Sequence, residues 1–180
     1  TNTDLTNTQF TNVTLNNTRI DNSETMGTTF PNVTYVSNVT SFSQLGVDIH
    51  GERTGDVFGS AISMSDDGTI MAVGATDNNE NGFRSGHVRI FKYLNSSWNQ
   101  LGSDIDGDTI SGISGKSVSL SSDGTIVAIA SSEKTKIFKY INGKWSQLGG
   151  DIDHHGHNIS LSGNGMIVAV TSIVGGVSTV

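Results

Sequence analysis

Between residues 44 and 180, short apolar stretches alternate with polar turns, and the same order of stretches comes round three times. Phe58-Gly59-Ser60-Ala61-Ile62-Ser63-Met64-Ser65 aligns with Ser114-Gly115-Lys116-Ser117-Val118-Ser119-Leu120-Ser121 and with His155-Gly156-His157-Asn158-Ile159-Ser160-Leu161-Ser162. Serine alternates here with apolar residues, the period of a half-buried strand. Asp67-Gly68, Asp123-Gly124 and Asn164-Gly165 follow, dipeptides that favour a tight hairpin turn because both centres tolerate positive φ. The next stretches, Ile70 to Gly74, Ile126 to Ala130 and Ile167 to Val170, are apolar almost throughout and predict strands buried on both faces. Val88-Arg89-Ile90-Phe91-Lys92-Tyr93 and Thr135-Lys136-Ile137-Phe138-Lys139-Tyr140 then alternate with period two. Short hairpins, Leu94 to Ser97 and Ile141 to Lys144, lead on to Trp98 and Trp145.

Each unit opens on Gln-Leu-Gly, at Gln44, Gln100 and Gln147, with Asp-Ile close behind. The units run 44–99, 100–146 and an incomplete 147–180, and the first carries an insertion from Asp77 to Arg84. A repeated unit of four short strands and about 40–50 residues reads as a blade of a β-propeller. About two and a half such blades are present, and Tyr93, Trp98, Tyr140 and Trp145 are expected in the blade core, not on a ligand platform. The third unit stops at Gly176-Val177-Ser178-Thr179-Val180, where its siblings continue through Phe-Lys-Tyr to a Trp. The chain is therefore expected to be a piece, or the ordered part, of a longer one, because open blades leave unpaired strand edges.

The first 40 residues have a different rhythm. Thr and Asn supply 20 of them, yet every fifth position is held by Leu5, Phe10, Leu15, Ile20, Thr25, Phe30 and Tyr35. Two residues ahead of these stand Thr3, Thr8, Val13, Thr18, Ser23, Thr28 and Val33, and two behind stand Asn7, Asn12, Asn17, Asn22, Gly27, Asn32 and Ser37. Residues 1–37 thus resemble the pentapeptide-repeat family, which implies a square β-helix with the large central residue inside and Asn or Gly at the corners. Thr25 and Pro31 depart from that pattern, and a Thr/Asn linker or irregular fibre segment is the competing reading. Residues 38–43 read as a linker. The expected fold class is all-β: a partial β-propeller preceded by a short pentapeptide-repeat-like β-helix.

Phe58-Gly59, Val73-Gly74-Ala75 and Gly86-His87-Val88-Arg89-Ile90-Phe91 resemble the FG-GAP blades of integrin-α-like propellers. The second copy departs, with Ser114-Gly115 for Phe-Gly and Ala130-Ser131 for Gly-Ala. The calcium loop that the family implies between the two pairs is missing, since Ser65-Asp66-Asp67-Gly68 is too short to wrap an ion. The repeats are also similar in wording to those of large surface proteins of marine microbes and their giant viruses.

Composition narrows the function. Only 15% of residues are charged, glycine supplies 22 positions and proline one, as suits a turn-rich all-β chain. A net charge of −7 with scattered Lys and Arg argues against nucleic acid. No stretch reaches the ~18–20 apolar residues of a membrane helix, so no membrane insertion is expected. No cysteine is present, which excludes disulfides and thiolate metal sites. No charged-then-apolar leader follows Thr1, so a signal peptide is expected to have been removed or never present. Asn-x-Ser/Thr sequons stand at Asn12, Asn16, Asn32, Asn38, Asn95 and Asn158.

Three constellations bear on chemistry. Asp77-x-Asn79-x-Asn81-Gly82 matches the first half of a calcium loop, but Val88 occupies the twelfth position where a bidentate Glu belongs. Asp77, Asn79 and Asn81 are therefore weak calcium candidates, set against an Asn-rich hairpin tip, and calcium is the one cofactor in view. Asp151-Ile152-Asp153-His154-His155-Gly156-His157 gathers imidazoles and carboxylates in what reads as a solvated loop entering a strand. No Gly-x-Ser-x-Gly elbow occurs, and no catalytic residue is assigned. The expectation is a non-catalytic structural or adhesive module of a larger extracellular, cell-surface or virion-surface protein. Its partners would be protein or glycan surfaces met through the blade-edge loops, and other subunits or missing blades of the same protein. An enzyme whose active site lies on blades outside this chain, and a purely architectural capsid or appendage subunit, are the alternatives.

Overall fold

The computed structural model describes residues 14–16, 34–36, 43–153, 158–174 and 177–179, all strand, turn or loop with no helix among them. The chain falls into two compact units, Thr1–Gln44 and Leu45–Val180. In the first, β1 (Thr14–Asn16) and β2 (Thr34–Val36) pair in parallel, Thr14 with Thr34, Leu15 with Tyr35 and Asn16 with Val36, so that partners lie twenty residues apart. The other pentad positions lie outside the described residues.

The second unit repeats one antiparallel sheet. Its first copy takes β3 (Phe58–Met64), β4 (Ile70–Ala75), β5 (His87–Leu94) and β6 (Ser97–Gln100) in that order, with β7 (Ile105–Asp106) pairing the other half of β5. Its second copy takes β8 (Ser117–Leu120), β9 (Ile126–Ala130), β10 (Lys134–Ile141) and β11 (Lys144–Gln147), with β12 (Ile152–Asp153) on β10. The outer strand of each sheet is thus broken in two, and the Gln-Leu-Gly triplet lies at the break, inside the sheet and not between sheets. The third copy contributes the hairpin of β13 (Ile159–Leu161) and β14 (Val168–Val170), followed by the hairpin of β15 (Ser172–Val174) and β16 (Val177–Thr179).

The strands after the Ser-rich turns form the core, as their apolar runs require. Ala72, Val127 and Ile129 are buried with Val88, Ile90, Ile105, Val118 and Leu120 in one cluster that spans both sheets. The turns fall where the dipeptides place them. Gly68, Gly124 and Gly165 take positive φ, but the Asp or Asn before each does not. Its side chain is spent instead on closing the loop. Ser65 Oγ donates to Asp67 Oδ1 at 2.7 Å and accepts from the Ile70 amide, while the Thr69 amide donates to Asp67. Ser121, Asp123, Thr125 and Ile126 repeat this arrangement, and Ser162, Asn164 and Ile167 repeat most of it. Both central residues take positive φ elsewhere, in Asn95-Ser96 and Asn142-Gly143 between the third and fourth strands.

Three contacts recur at both junctions between copies, and a fourth, made by tryptophan, joins the second copy to the first. Ser63 Oγ accepts from the Leu120 amide, and its counterpart Ser119 Oγ accepts from the Leu161 amide, both at 2.9 Å. The Asp66 amide donates to Ser122 O, and the Ser122 amide to Gly163 O. Ile70 packs against Gly124, and Ile126 against Gly165, where a Cβ would clash. Trp145 Nε1 donates to Leu101 O at 2.7 Å, and Trp98 Nε1 to Leu45 O at 2.9 Å. Leu45 therefore stands to the first sheet as Leu101 stands to the second. Trp145 packs against the edge of the buried cluster, as the sequence reading expects in part, whereas Trp98 is not among the residues packed against it. Both are half-buried on the outer strands, tilted against Tyr93 and Tyr140 at centroid distances of 5.2 and 5.1 Å.

Candidate functional site

At one end of the first sheet the loops of residues 51–57, 76–86 and 101–108 come together around the start of β5. Two buried polar side chains hold them. Asp56 Oδ2 accepts from the Arg53 amide and from Asn78 Nδ2, each at 3.2 Å, and Asn78 Oδ1 in turn accepts from the Glu80 amide at 2.9 Å. The Gly86 amide closes the inserted loop on Asn78 O. One Asp–Asn pair therefore fixes both Glu52, beside Arg53, and Glu80. The insertion is a built loop, with Phe83 at its rim 66% exposed.

His87, the first residue of β5, is 1% exposed, and neither ring nitrogen has a hydrogen-bond partner among the described residues. Its Nδ1 stands 3.5 Å from Asp104 Oδ2. Imidazole always carries at least one N–H, and a buried donor or acceptor left unpaired costs about 1–3 kcal/mol. Single donor atoms of Glu52, Glu80, His87 and Asp104 lie within 4.8 Å of one another. Arg89 is nearby but occupied. Its Nε and Nη2 both donate to Gln100 Oε1 and its Nη1 to His50 O, it lies over the Phe58 and Phe91 rings, and it comes no closer than 4.0 Å to Glu52 and 3.9 Å to Asp104. Asp106 next to this group has its carboxyl pushed above the ordinary 3.8, first by partial desolvation and then by the charge of Asp104.

The calcium candidates of the inserted loop have other partners. Asp77 Oδ1 pairs with Arg84 at 2.8 Å, Asn79 Oδ1 accepts from the Arg84 amide, and Asn81 Nδ2 donates to Gly107 O. His154, His155 and His157 lie outside the described residues. Between the two sheets a small cleft is lined by Ser85, Asp106, Asp108, Thr109, Lys134 and Lys136 among others. Its charges are paired: Lys136 Nζ donates to Asp108 at 2.7 Å and Lys134 Nζ to Asp151 at 2.9 Å. These bonds hold Asp108 and Asp151 below the usual carboxylate value.

The first sheet can be compared with known proteins on this basis. Residues 51–91 match the FG-GAP repeat family. That stretch holds the Glu52 loop, β3, β4, the inserted loop and His87, and falls well short of half the chain. No curated protein matches. Among solved structures, a protein described as a 6-phosphogluconolactonase from Bacteroides uniformis shares 14% identity at a TM-score of 0.44, over 64% of this chain and 34% of its own. A second protein so described, from Bacteroides fragilis, shares 20% at 0.43, over 66% and 36%. The complex of KlAtg21 with the coiled coil of AgAtg16 gives 14% at 0.45, over 62% and 36%. The chain spans about a third of the length of each of these.

Sequence reasoning missed the His87 group. The one available signal was that the inserted loop carries Glu80 to a strand whose sibling begins with Lys134 instead of histidine.

Proposed function

We propose that this chain is a non-catalytic structural and adhesive blade module of a larger extracellular, cell-surface or virion-surface protein. The observation that carries this reading is the repetition of the same three contacts at both junctions between copies. Such junctions accept further copies without new chemistry, and the groups that would receive one are open on the third copy. Ile167, the counterpart of buried Ile70 and Ile126, is 69% exposed. Ser160 is exposed and, among the described residues, no side chain approaches Gly149, the counterpart of Gly46 and Gly102 that carry tryptophans. Further blades of the same kind are the natural occupants, whether from the same protein or another subunit.

Adhesion is assigned to the blade-edge loops, above all residues 77–85, because the loop is rigidly tied at its base and presents Phe83 outward. Protein or glycan surfaces are the partners in this reading, not nucleic acid, given the net charge of −7. No helix among the described residues is long and apolar enough to cross a membrane. A weak calcium site at Asp77, Asn79 and Asn81 remains part of the proposal, and it requires Arg84 to leave Asp77. The parallel pairing of residues twenty apart supports the square β-helix for residues 1–37, since four five-residue sides bring Leu15 beside Tyr35. That segment would serve as a stalk or as a cap.

The test exchanges residues 76–86 for the short turn of the second copy, Ser131 to Glu133. Binding of both proteins to cells, extracellular-matrix proteins and glycan arrays is measured, with melting temperature as the control. Loss of surface binding is expected, with a lower melting temperature because buried Asp56 loses Asn78 but with the sheet still folded. Unchanged binding sinks the assignment of adhesion to this loop.

A further inference from the structure

We propose that Glu52, Glu80, His87 and Asp104 bind a divalent transition-metal ion at the loop end of the first sheet. The second sheet provides the comparison that shows what is unusual here. In both sheets a glutamine of the outer strand donates to an aspartate two residues beyond the Gln-Leu-Gly triplet: Gln147 Nε2 to Asp151 Oδ1 at 2.8 Å, and Gln100 Nε2 to Asp104 Oδ1. In both, a cation on the third strand stands 3.9 Å off that aspartate, Lys136 in one and Arg89 in the other. The second sheet then completes the group with Lys134 Nζ, 2.9 Å from Asp151 Oδ2. The first sheet has His87 at the matching register, paired with Asp106 as Lys134 is paired with Asp153.

The ammonium is thus replaced by an imidazole, while two carboxylates, Glu52 and Glu80, are added from loops. The acidic charge rises as the built-in cation disappears. Arg89 offsets one of the three carboxylate charges, standing 4.0 Å from Glu52 and 3.9 Å from Asp104 with its fork held on Gln100 Oε1, and leaves the group acidic. A metal ion supplies both missing elements: the positive charge where Lys134 stands in the sibling, and a partner for a buried imidazole nitrogen.

The geometry suits such an ion after a small contraction. Donor atoms around a tetrahedral ion with bonds of about 2.0–2.1 Å lie about 3.3 Å apart. These four lie within 4.8 Å, and the two glutamates that must close are exposed and loop-borne, while His87 is fixed in the sheet. Asp56 and Asn78 act as positioning residues, since their shared hydrogen bonds set the places of both glutamate-bearing segments. One nitrogen with carboxylate oxygens suits Zn2+ and its neighbours better than Ca2+ or Mg2+, which prefer all-oxygen sets. The site is separate from Asp77, Asn79 and Asn81, and it stands whether or not the module is adhesive.

The test uses the untagged 180-residue chain carrying His154→Gln, His155→Gln and His157→Gln, which removes the other imidazole cluster. After chelator treatment it is titrated calorimetrically with Zn2+, with Co2+ as an absorbance probe and Ca2+ and Mg2+ as controls. One Zn2+ per chain is expected, with Co2+ bands in the visible and no comparable heat from Ca2+ or Mg2+. Glu80→Gln, an exposed substitution whose folding is checked by circular dichroism, is expected to weaken Zn2+ binding at least about tenfold. No binding at millimolar Zn2+, or equal affinity in the Glu80→Gln protein, overturns the proposal.

Discussion

Replacing Ser63, Ser119 and Ser160 by alanine, one at a time, probes how the copies are joined. The three serines occupy equivalent places on the first strand of each copy but have different surroundings. Ser63 Oγ accepts the amide of Leu120, a residue in the buried cluster. Its loss leaves a buried N–H unpaired, which costs about 1–3 kcal/mol. Ser119 Oγ accepts the amide of Leu161, a half-buried residue on a copy that has no further neighbour here. Water replaces part of that bond, so about 0.5–1.5 kcal/mol is expected, the net value of an ordinary hydrogen bond. Ser160 is exposed and no hydrogen bond joins it to a further copy, so Ser160→Ala should lie within about 0.5 kcal/mol of wild type. Urea unfolding measures all three. The midpoints should shift in that order while the slope stays constant, and melting should fall by about 2–4 °C for each kcal/mol lost. A Ser160→Ala protein as destabilised as Ser63→Ala, or a Ser63→Ala protein indistinguishable from wild type, would refute the idea that these hydroxyls join the blades.

Other consequences follow from the same contacts. Gly74→Ala sets a Cβ into the backbone carbonyl of Gly115, so the two sheets must separate, and loss of several kcal/mol or of soluble protein is expected in expression and melting assays. Trp145→Phe removes the bond to Leu101 O but keeps an aromatic beside Tyr140, and a cost of about 1 kcal/mol is expected from urea unfolding. The carboxyls of Asp67 and Asp123 titrate below 3.8, Asp67 chiefly through the Ser65 hydroxyl and Asp123 chiefly through the Thr125 amide. A depressed folded value means that these turns stabilise the fold fully above about pH 4 and lose that contribution as pH falls through the lower value. Carboxyl NMR titration checks both, and values at or above 3.8 would contradict the turn geometry.

The strands and turns of residues 44–180 were legible because repetition displays each signal two or three times. Alternating serines and runs such as Ile126 to Ala130 have one physical reading each when they recur in register. What each serine is for was not legible, since the N–H that it accepts belongs to another copy, more than forty residues away. The second role of the tryptophans was hidden for a related reason: size suggested the core, against which Trp145 does pack, but not the bonds to the carbonyls of Leu45 and Leu101. The His87 group was hidden because Glu52, Glu80 and His87 occur once each and lie with Asp104 in four separate segments. Only the sheet register sets His87 against Lys134 and shows a cation exchanged for an imidazole. Asp77, Asn79 and Asn81 stood out by spacing alone, and spacing is silent about Arg84, whose guanidinium reaches Asp77.

The most direct test of the central claim is the intact mass of the protein isolated from its source, measured with its state of association. A mass well above 19.0 kDa, or stable assembly of 19.0 kDa chains through the face that bears Ser160 and Ile167, is expected if these copies are blades of a larger array. A soluble monomer of 19.0 kDa, folded and unchanged by Ile167→Asp, would contradict it.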